Sequence, residues 1–166
     1  MITLKIQRET DVDMPNRAHK DDAGIDFFLP RDLSYIIRNG IAINTEVVKD
    51  EDTVKTMIAI YPHESVLLPM GLRVEFNKGW SLFFVNRSGI ATKKHLFRGA
   101  CLVDHGYSGV LFVNMTNVSN ETQYLVPGEK LIQAMLLPVP EIEIKEGIVE
   151  RETERGDGGF GSTNNK

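Results

Sequence analysis

Cysteine is nearly missing: Cys101 is the sole one, it sits in the short apolar run 100–103, and no internal disulfide can form. That usage suits a reducing cytoplasm. The chain also lacks a secretory apolar segment near Met1 and any apolar stretch of about 18 residues, so neither export by signal nor a membrane contact is expected. A basic excess is missing too. With 19 Lys and Arg against 23 Asp and Glu, the formal charge is −4, and no basic stripe offers to neutralise duplex phosphates. Nucleic acid is therefore not an expected partner, although a few local arginines suffice for a single nucleotide. Metal-ligand spacings are absent as well: there is no Cys-x-x-Cys and no His-x-x-x-His, and the four histidines are scattered. Zinc is excluded on that ground, while a magnesium ion held mainly by substrate phosphates stays open. Gly-x-Ser-x-Gly is missing, which removes the usual signature of a serine hydrolase.

What is present is a succession of short apolar runs broken by turn formers. Ile2, Leu4 and Ile6 alternate with polar residues and open the chain with a strand. Ala23-Gly-Ile-Asp-Phe-Phe-Leu-Pro30 is a second strand whose one acid, Asp26, is either paired in an apolar setting or turned to solvent. Strands are expected at 34–37 and 41–43 around Arg38-Asn-Gly40, while 46–55 is charged and reads as a solvated loop or a short helix. Runs at 56–61, 65–69, 72–76 and 80–85 follow, with Asn77-Lys-Gly79 read as a hairpin turn. Later strands are expected at 123–126 and 131–137, the last interrupted by Gln133, as when a polar group is aimed at something specific. Ile142, Ile144 and Ile148 suit an edge strand or an arm. No internal repeat and no linker to a second domain occurs, so the 166 residues form one domain, an all-β sandwich or barrel with one short helix.

Three stretches carry candidate chemistry. In 100–113 two apolar runs flank Asp104-His-Gly-Tyr-Ser-Gly109, which reads as a β-hairpin with Asp104 leaving the first strand and Tyr107 near its tip. It presents a carboxylate and an aromatic ring to one pocket, or it is turn chemistry alone. In Asn86-Arg-Ser-Gly-Ile-Ala-Thr-Lys-Lys-His95, Ser88 can cap a short helix through 91–94, giving either an anion site beside Arg87 or an ordinary capped turn. The tail Gly156-Asp-Gly-Gly-Phe-Gly161 matches a dinucleotide fingerprint only in letters, since no strand precedes it and no helix follows. As a glycine-rich tail it offers Arg155, Ser162 and Thr163 to phosphates and Phe160 to a base, unless it is a tail without a role.

Together, Ala23-Gly-Ile-Asp26, Arg87-Ser-Gly-Ile-Ala91, Val103-Asp-His-Gly-Tyr-Ser-Gly109, Pro127-Gly-Glu-Lys-Leu-Ile-Gln133 and Arg155-Gly-Asp-Gly-Gly-Phe-Gly-Ser-Thr163 resemble the five ordered motifs of the trimeric dUTPases, deoxyuridine triphosphate nucleotidohydrolases. The resemblance runs from about Met14 to Thr163. It implies a jelly-roll (β-clip) protomer with an exchanged C-terminal arm, a homotrimer with shared active sites, and Mg²⁺-dependent hydrolysis of dUTP to dUMP and pyrophosphate. That reaction keeps uracil out of DNA and supplies dUMP for thymidylate synthesis, in a bacterium or a virus-infected host cell, the virus possibility being a phage. Position by position, it implies that Asp104 activates the attacking water and that Leu102, Val103 and Phe112 line the uracil slot. Tyr107 would pack on the deoxyribose; Arg87, Ser88, Gly89 and Gln133 would contact phosphates. Asp26 would act on magnesium through bound waters. Phe160 would cover the base, with Arg155, Gly161, Ser162 and Thr163 on the phosphates. From Pro140 to Phe160 the chain spans at most roughly 66 Å, enough to reach a neighbouring protomer.

Departures from the pattern are Asn86 in place of a common proline, Gly106 in place of a second acid, Arg98 in place of a pocket asparagine, and Asn164 after Ser-Thr. Extra length within about 39–59 looks like an insertion, an additional hairpin or a surface for a regulatory protein. One alternative is the related dCTP deaminases, which need an acid on the strand after the central turn; 110–118 contains none. The other is a dUTPase-like module that binds a regulator.

Overall fold

The short alternating runs form fourteen strands and one helix in a computed structural model that describes residues 1–50 and 53–149, with side chains outside 46–55. A five-stranded sheet has the order β10 (Leu96–Arg98), β12 (Phe112–Asn117), β7 (Ser65–Pro69), β3 (Tyr35–Arg38), β4 (Ile41–Asn44). A four-stranded sheet has the order β11 (Leu102–Val103), β9 (Trp80–Asn86), β14 (Lys130–Pro138), β2 (Ile25–Phe28). β1 (Leu4–Arg8) pairs with β8 (Leu72–Phe76), and β13 (Gln123–Leu125), β6 (Thr53–Ile60) and β5 (Glu46–Asp50) form a third small sheet. All these pairings are antiparallel, the arrangement that allows one face to be packed and the other wet.

Period-2 patterning decides which face is which. In β12 the side chains of Val113, Met115 and Asn117 are buried while their neighbours are not. Inward residues of all four sheets meet in one apolar cluster. Phe27 of β2 and Phe84 of β9 stand edge to face with centroids 5.4 Å apart. The buried amide of Asn117 is fully satisfied: its Nδ2 donates to Ile60 O at 2.9 Å and Glu121 O at 2.7 Å, and its Oδ1 accepts from Ser119. At the surface, the Arg31 guanidinium donates to Asp13 at 2.5 Å, and that hydrogen bond holds the Asp13 carboxyl below its usual range.

Four expectations are corrected. The described residues within 46–55 are strand and not loop or helix: β5 pairs antiparallel with the start of β6, because Val47, Val48 and Val54 favour strand although charges mask their alternation. The turn at 77–79 is not a hairpin turn, since β8 and β9 belong to different sheets. Nor is 100–113 a hairpin: β11 pairs with β9 and β12 pairs with β7 and β10, so the loop between them crosses from one sheet to another. In the helix α1 (Ser88–Lys93), Arg87 occupies the N-cap position and no side chain caps it; Ser88 is the first helical residue. Residues 139–149 carry no regular structure, which leaves the arm reading of this segment standing against the edge-strand reading.

Replacing Phe84 by alanine removes a ring that is 1% exposed. It is expected to cost about 3–5 kcal/mol, read as a lower denaturation midpoint at fixed protein concentration.

Candidate active site

The first cleft is built on β2, β14 and β9. Pairing sets Gln133 opposite Asp26 on one side and opposite Val85 on the other, which brings the end of β9 and Arg87 alongside. Asp26 is only 7% exposed, and both its oxygens are taken: Arg87 Nε donates to Oδ1 at 2.9 Å and Lys130 Nζ to Oδ2 at 2.8 Å. Arg87 Nη1 also donates to Lys130 O at 3.1 Å. Two cations thus stand against the Asp26 carboxylate, and Asp22 is the second acid of this cleft. A cavity of about 450 Å³ opens there, lined among others by Asp22, Gly24, Asp26, Arg87, Ser88 and Gln133. Gln133 Nε2 donates to Asn86 O at 2.9 Å. A Cβ at position 24 would strike the Gln133 amide, so the glycine makes room for it. The helix has only six residues, so Arg87 supplies most of the attraction for an anion.

Lys130 has no role in the sequence pattern. A register shift between Lys130 and Ile132 in the pairing of β14 with β2 turns its side chain toward Asp26. Its place inside the motif Pro127-Gly-Glu-Lys-Leu-Ile-Gln133, at the opening of an apolar strand, is its trace in the sequence. Among the described residues no group of three His, Cys, Asp or Glu side chains could hold a metal ion. With both Asp26 oxygens occupied by cations, the donor set fits an ion held through its own waters and not by direct protein ligation.

The second cleft lies at the crossing loop. A cavity of about 170 Å³, room for one small ring, is lined by Leu102, Val103, Asp104, Tyr107, Leu111 and Phe112. Because β11 is the outermost strand of its sheet, its free edge has peptide groups without a strand partner. Phe112 turns its peptide groups away from β7 and toward the side where β10 has ended, since Leu111 O accepts Met70 N and Asn114 O accepts Gly99 N. Tyr107 N donates to Asp104 O at 3.0 Å, closing a turn, and Tyr107 Oη donates to Val110 O at 2.7 Å. The ring thus lies over Gly109, where a Cβ would come within 2.6 Å of the hydroxyl. Asp104 is exposed, and among the described residues nothing donates to its carboxylate.

Within one chain the two clefts do not merge. Val103 stands opposite Leu82 of β9, and Arg87 lies five residues further on, about 17 Å along a strand. Gly89 is in α1 and lines neither cavity. Arg98, on β10, lines neither: its N donates to Asn86 Oδ1 at 2.9 Å and its guanidinium sits 5.1 Å over Phe83. Arg155, Phe160, Gly161, Ser162 and Thr163 lie outside the described residues. No helix among the described residues is long and apolar enough to cross a membrane.

The profile of the dUTPase family matches residues 52–164. The chain belongs to the dUTPase family. A relative from Fusobacterium nucleatum, named deoxyuridine 5'-triphosphate nucleotidohydrolase, is 30% identical over 164 residues, covering 98% of this chain and 97% of its own. A second of that name, from Hydrogenobaculum, is 34% identical over 68% of this chain and 80% of its own. Among solved structures, the dUTPase of Staphylococcus bacteriophage 80alpha bound to dUPNHPP superposes with a TM-score of 0.74 at 23% identity, covering 96% of this chain and 97% of that one. A dUTPase from phage phi11 of S. aureus, described as coordinating a structural Mg(II) ion, aligns with a TM-score of 0.66 at 22% identity over 87% of this chain and 96% of that one. These likenesses place the chain in the dUTPase fold.

Asp26→Ala would leave Arg87 and Lys130 facing each other without an anion between them. It is expected to destabilise the protein by about 2 kcal/mol, less than a fully buried pair would lose because both cations keep access to water. Chemical denaturation measures it, and added inorganic triphosphate is expected to restore part of the loss.

Proposed function

We propose that the chain hydrolyses dUTP to dUMP and pyrophosphate at sites shared between the subunits of a homotrimer, with Asp104 of one subunit acting beside Arg87 of another. The observation that carries this reading is the division of chemistry between two clefts of one chain. The slot at the crossing loop has room for a small ring and is lined by a carboxylate and an aromatic ring, with no cation in its lining. The β2–β14–β9 cleft has Arg87 and the Gln133 amide for a triphosphate, and neither of its acids, Asp22 and Asp26, has the slot for a small ring beside it. A closed rotational assembly brings the second cleft of one copy against the first of the next.

In that site Asp104 takes a proton from a water aligned behind the α-phosphorus. A bond forms from the water oxygen to phosphorus while the bond to the α–β bridging oxygen breaks, and pyrophosphate leaves with its electron pair. Arg87, Ser88, Gly89 and Gln133 hold the phosphates and spread the developing charge. Backbone groups of Leu102, Val103 and Phe112 read the uracil edge, and a base that cannot complete those hydrogen bonds is rejected. Tyr107 lies against the sugar and leaves no room for a 2′-hydroxyl. Magnesium, when bound, adds charge neutralisation on the phosphates; Asp26 would hold it through water. The tail closes the site of a neighbouring subunit, Phe160 on the base and Arg155, Gly161, Ser162 and Thr163 on the phosphates.

Support for an exchanged arm comes from the segment leading to that tail. Ile142, Ile144, Ile148 and Val149 are 76%, 89%, 89% and 90% exposed, a density of bare apolar side chains that suits burial on another subunit. The compartment that fits is the cytoplasm, where the deoxynucleotide pool lies. The insertion within 39–59 offers a regulatory protein the edge strand β5, which pairs only with β6 among the described strands. The 80alpha enzyme belongs to a group described as controlling the transfer of virulence genes.

Two experiments test the reading. D104N and R87A are each expected to lose activity, D104N by about a thousandfold in kcat, measured as pyrophosphate released from dUTP. Refolded together, the two should recover roughly a quarter of the parent activity on random mixing in closed trimers; no recovery would place both groups in one subunit's site. Removal of residues 155–166 should abolish most turnover and leave the sedimentation of the assembly unchanged, and full activity in that truncation would remove the lid from the mechanism.

A further inference from the structure

The loop that crosses between the sheets has no strand partner along 104–109, yet Tyr107 on it forms part of the wall of the cavity of about 170 Å³. Gly106 contributes no side chain to hold it. Two bonds from outside do. His105 Nδ1 meets Phe76 O at 2.8 Å, which fixes the first half of the loop to β8. Arg73, on the outward face of β8, donates Nη1 to Ser108 O at 2.7 Å, one residue beyond Tyr107. The same guanidinium donates Nε to Glu9 Oε1 at 2.8 Å, and that oxygen also accepts Gln7 Nε2 at 2.7 Å. Glu9, the residue after β1, thereby orients Arg73, whose fork spans a carboxylate on one side and the loop carbonyl on the other.

We propose that Arg73, oriented by Glu9, is a positioning residue that sets the Tyr107 ring through Ser108 O and so governs the choice between deoxyribose and ribose. The inference rests on the reading of Tyr107 as the wall of the sugar pocket. Arg73 does not line that cavity of about 170 Å³ beside Tyr107. Its side chain is 42% exposed, so its loss opens no cavity, and its effect passes through the loop. Without it, Ser108 O turns to water, the second half of the loop relaxes, and the ring no longer closes the space where a 2′-hydroxyl would sit.

The test compares kcat and KM for dUTP and for UTP in the full-length protein and in R73A, R73K and Y107A. R73A is expected to raise KM for dUTP and to lower the dUTP-over-UTP ratio of kcat/KM by about tenfold, with kcat for dUTP falling much less. R73K should follow R73A, because one ammonium cannot bridge Glu9 and Ser108 as the guanidinium fork does. Y107A should lower the ratio at least as far. If R73A and R73K lose activity equally on both nucleotides while Y107A lowers the ratio, the positioning role is overturned and the sugar-pocket reading stands. If Y107A leaves the ratio unchanged, the sugar-pocket reading falls and the proposal falls with it.

Discussion

Asp26 is the point on which the phosphate cleft depends. A carboxylate buried in a strand beside Phe27 is unfavourable unless cations meet it, and here Arg87 and Lys130 do so on its two oxygens. The three groups come from different parts of the chain: β2, the junction of β9 with the helix, and the first residue of β14. Their attraction draws the ends of three strands together and holds Arg87 with part of its fork free. The acid is not the reacting group of this cleft. It is what allows two positive side chains to stand side by side where a polyanion is to bind.

The second constraint is the crossing of the chain between sheets at 104–111. Strand ladders hold β11 and β12 rigidly, but the residues between them must be placed by individual bonds. Tyr107 is tied to Val110 O, His105 to Phe76 O, Ser108 O to Arg73, and Leu111 N to Leu72 O. Most of these anchors end on β8, so the strand that pairs with β1 also serves as the bench for the loop. Asp104 is left without a donor among the described residues, which suits a carboxylate whose proposed partner is a water molecule.

Asn86 and Arg98, both departures from the family pattern, meet: the Asn86 side chain accepts the Arg98 backbone N–H, and the Asn86 carbonyl accepts Gln133. One residue thus links the strand before the phosphate cleft, the strand before the crossing loop and the amide that faces the phosphates. A proline at this position would have no side-chain oxygen to offer Arg98 N, so the pair is this chain's own way of holding the junction.

Much of the architecture was legible in the chain. Alternation marked β1, short apolar runs between turn formers marked β2, β3, β4, β7, β8, β9, β13 and β14, and Ser88 marked the helix, because such patterns are local properties of consecutive residues. The candidate site residues were legible only as ordered motifs, whose letters carry a family likeness and not a distance. The chain could not say which strands pair. The hairpin expected at 100–113 is a crossing, and the described residues of the loop expected at 46–55 are paired strands, because hydrogen-bond partners are chosen by packing of residues far apart in sequence. Nor could it say that Lys130 meets Asp26, since a register shift in β14 turns that side chain to the acid's side. The spacing of short strands determined that this is an all-β chain, and its ordered motifs carried the likeness to a family of nucleotide enzymes. Only the tertiary structure decided that those groups fall into two clefts, because strand order set Asp104 and Arg87 toward opposite ends of β9.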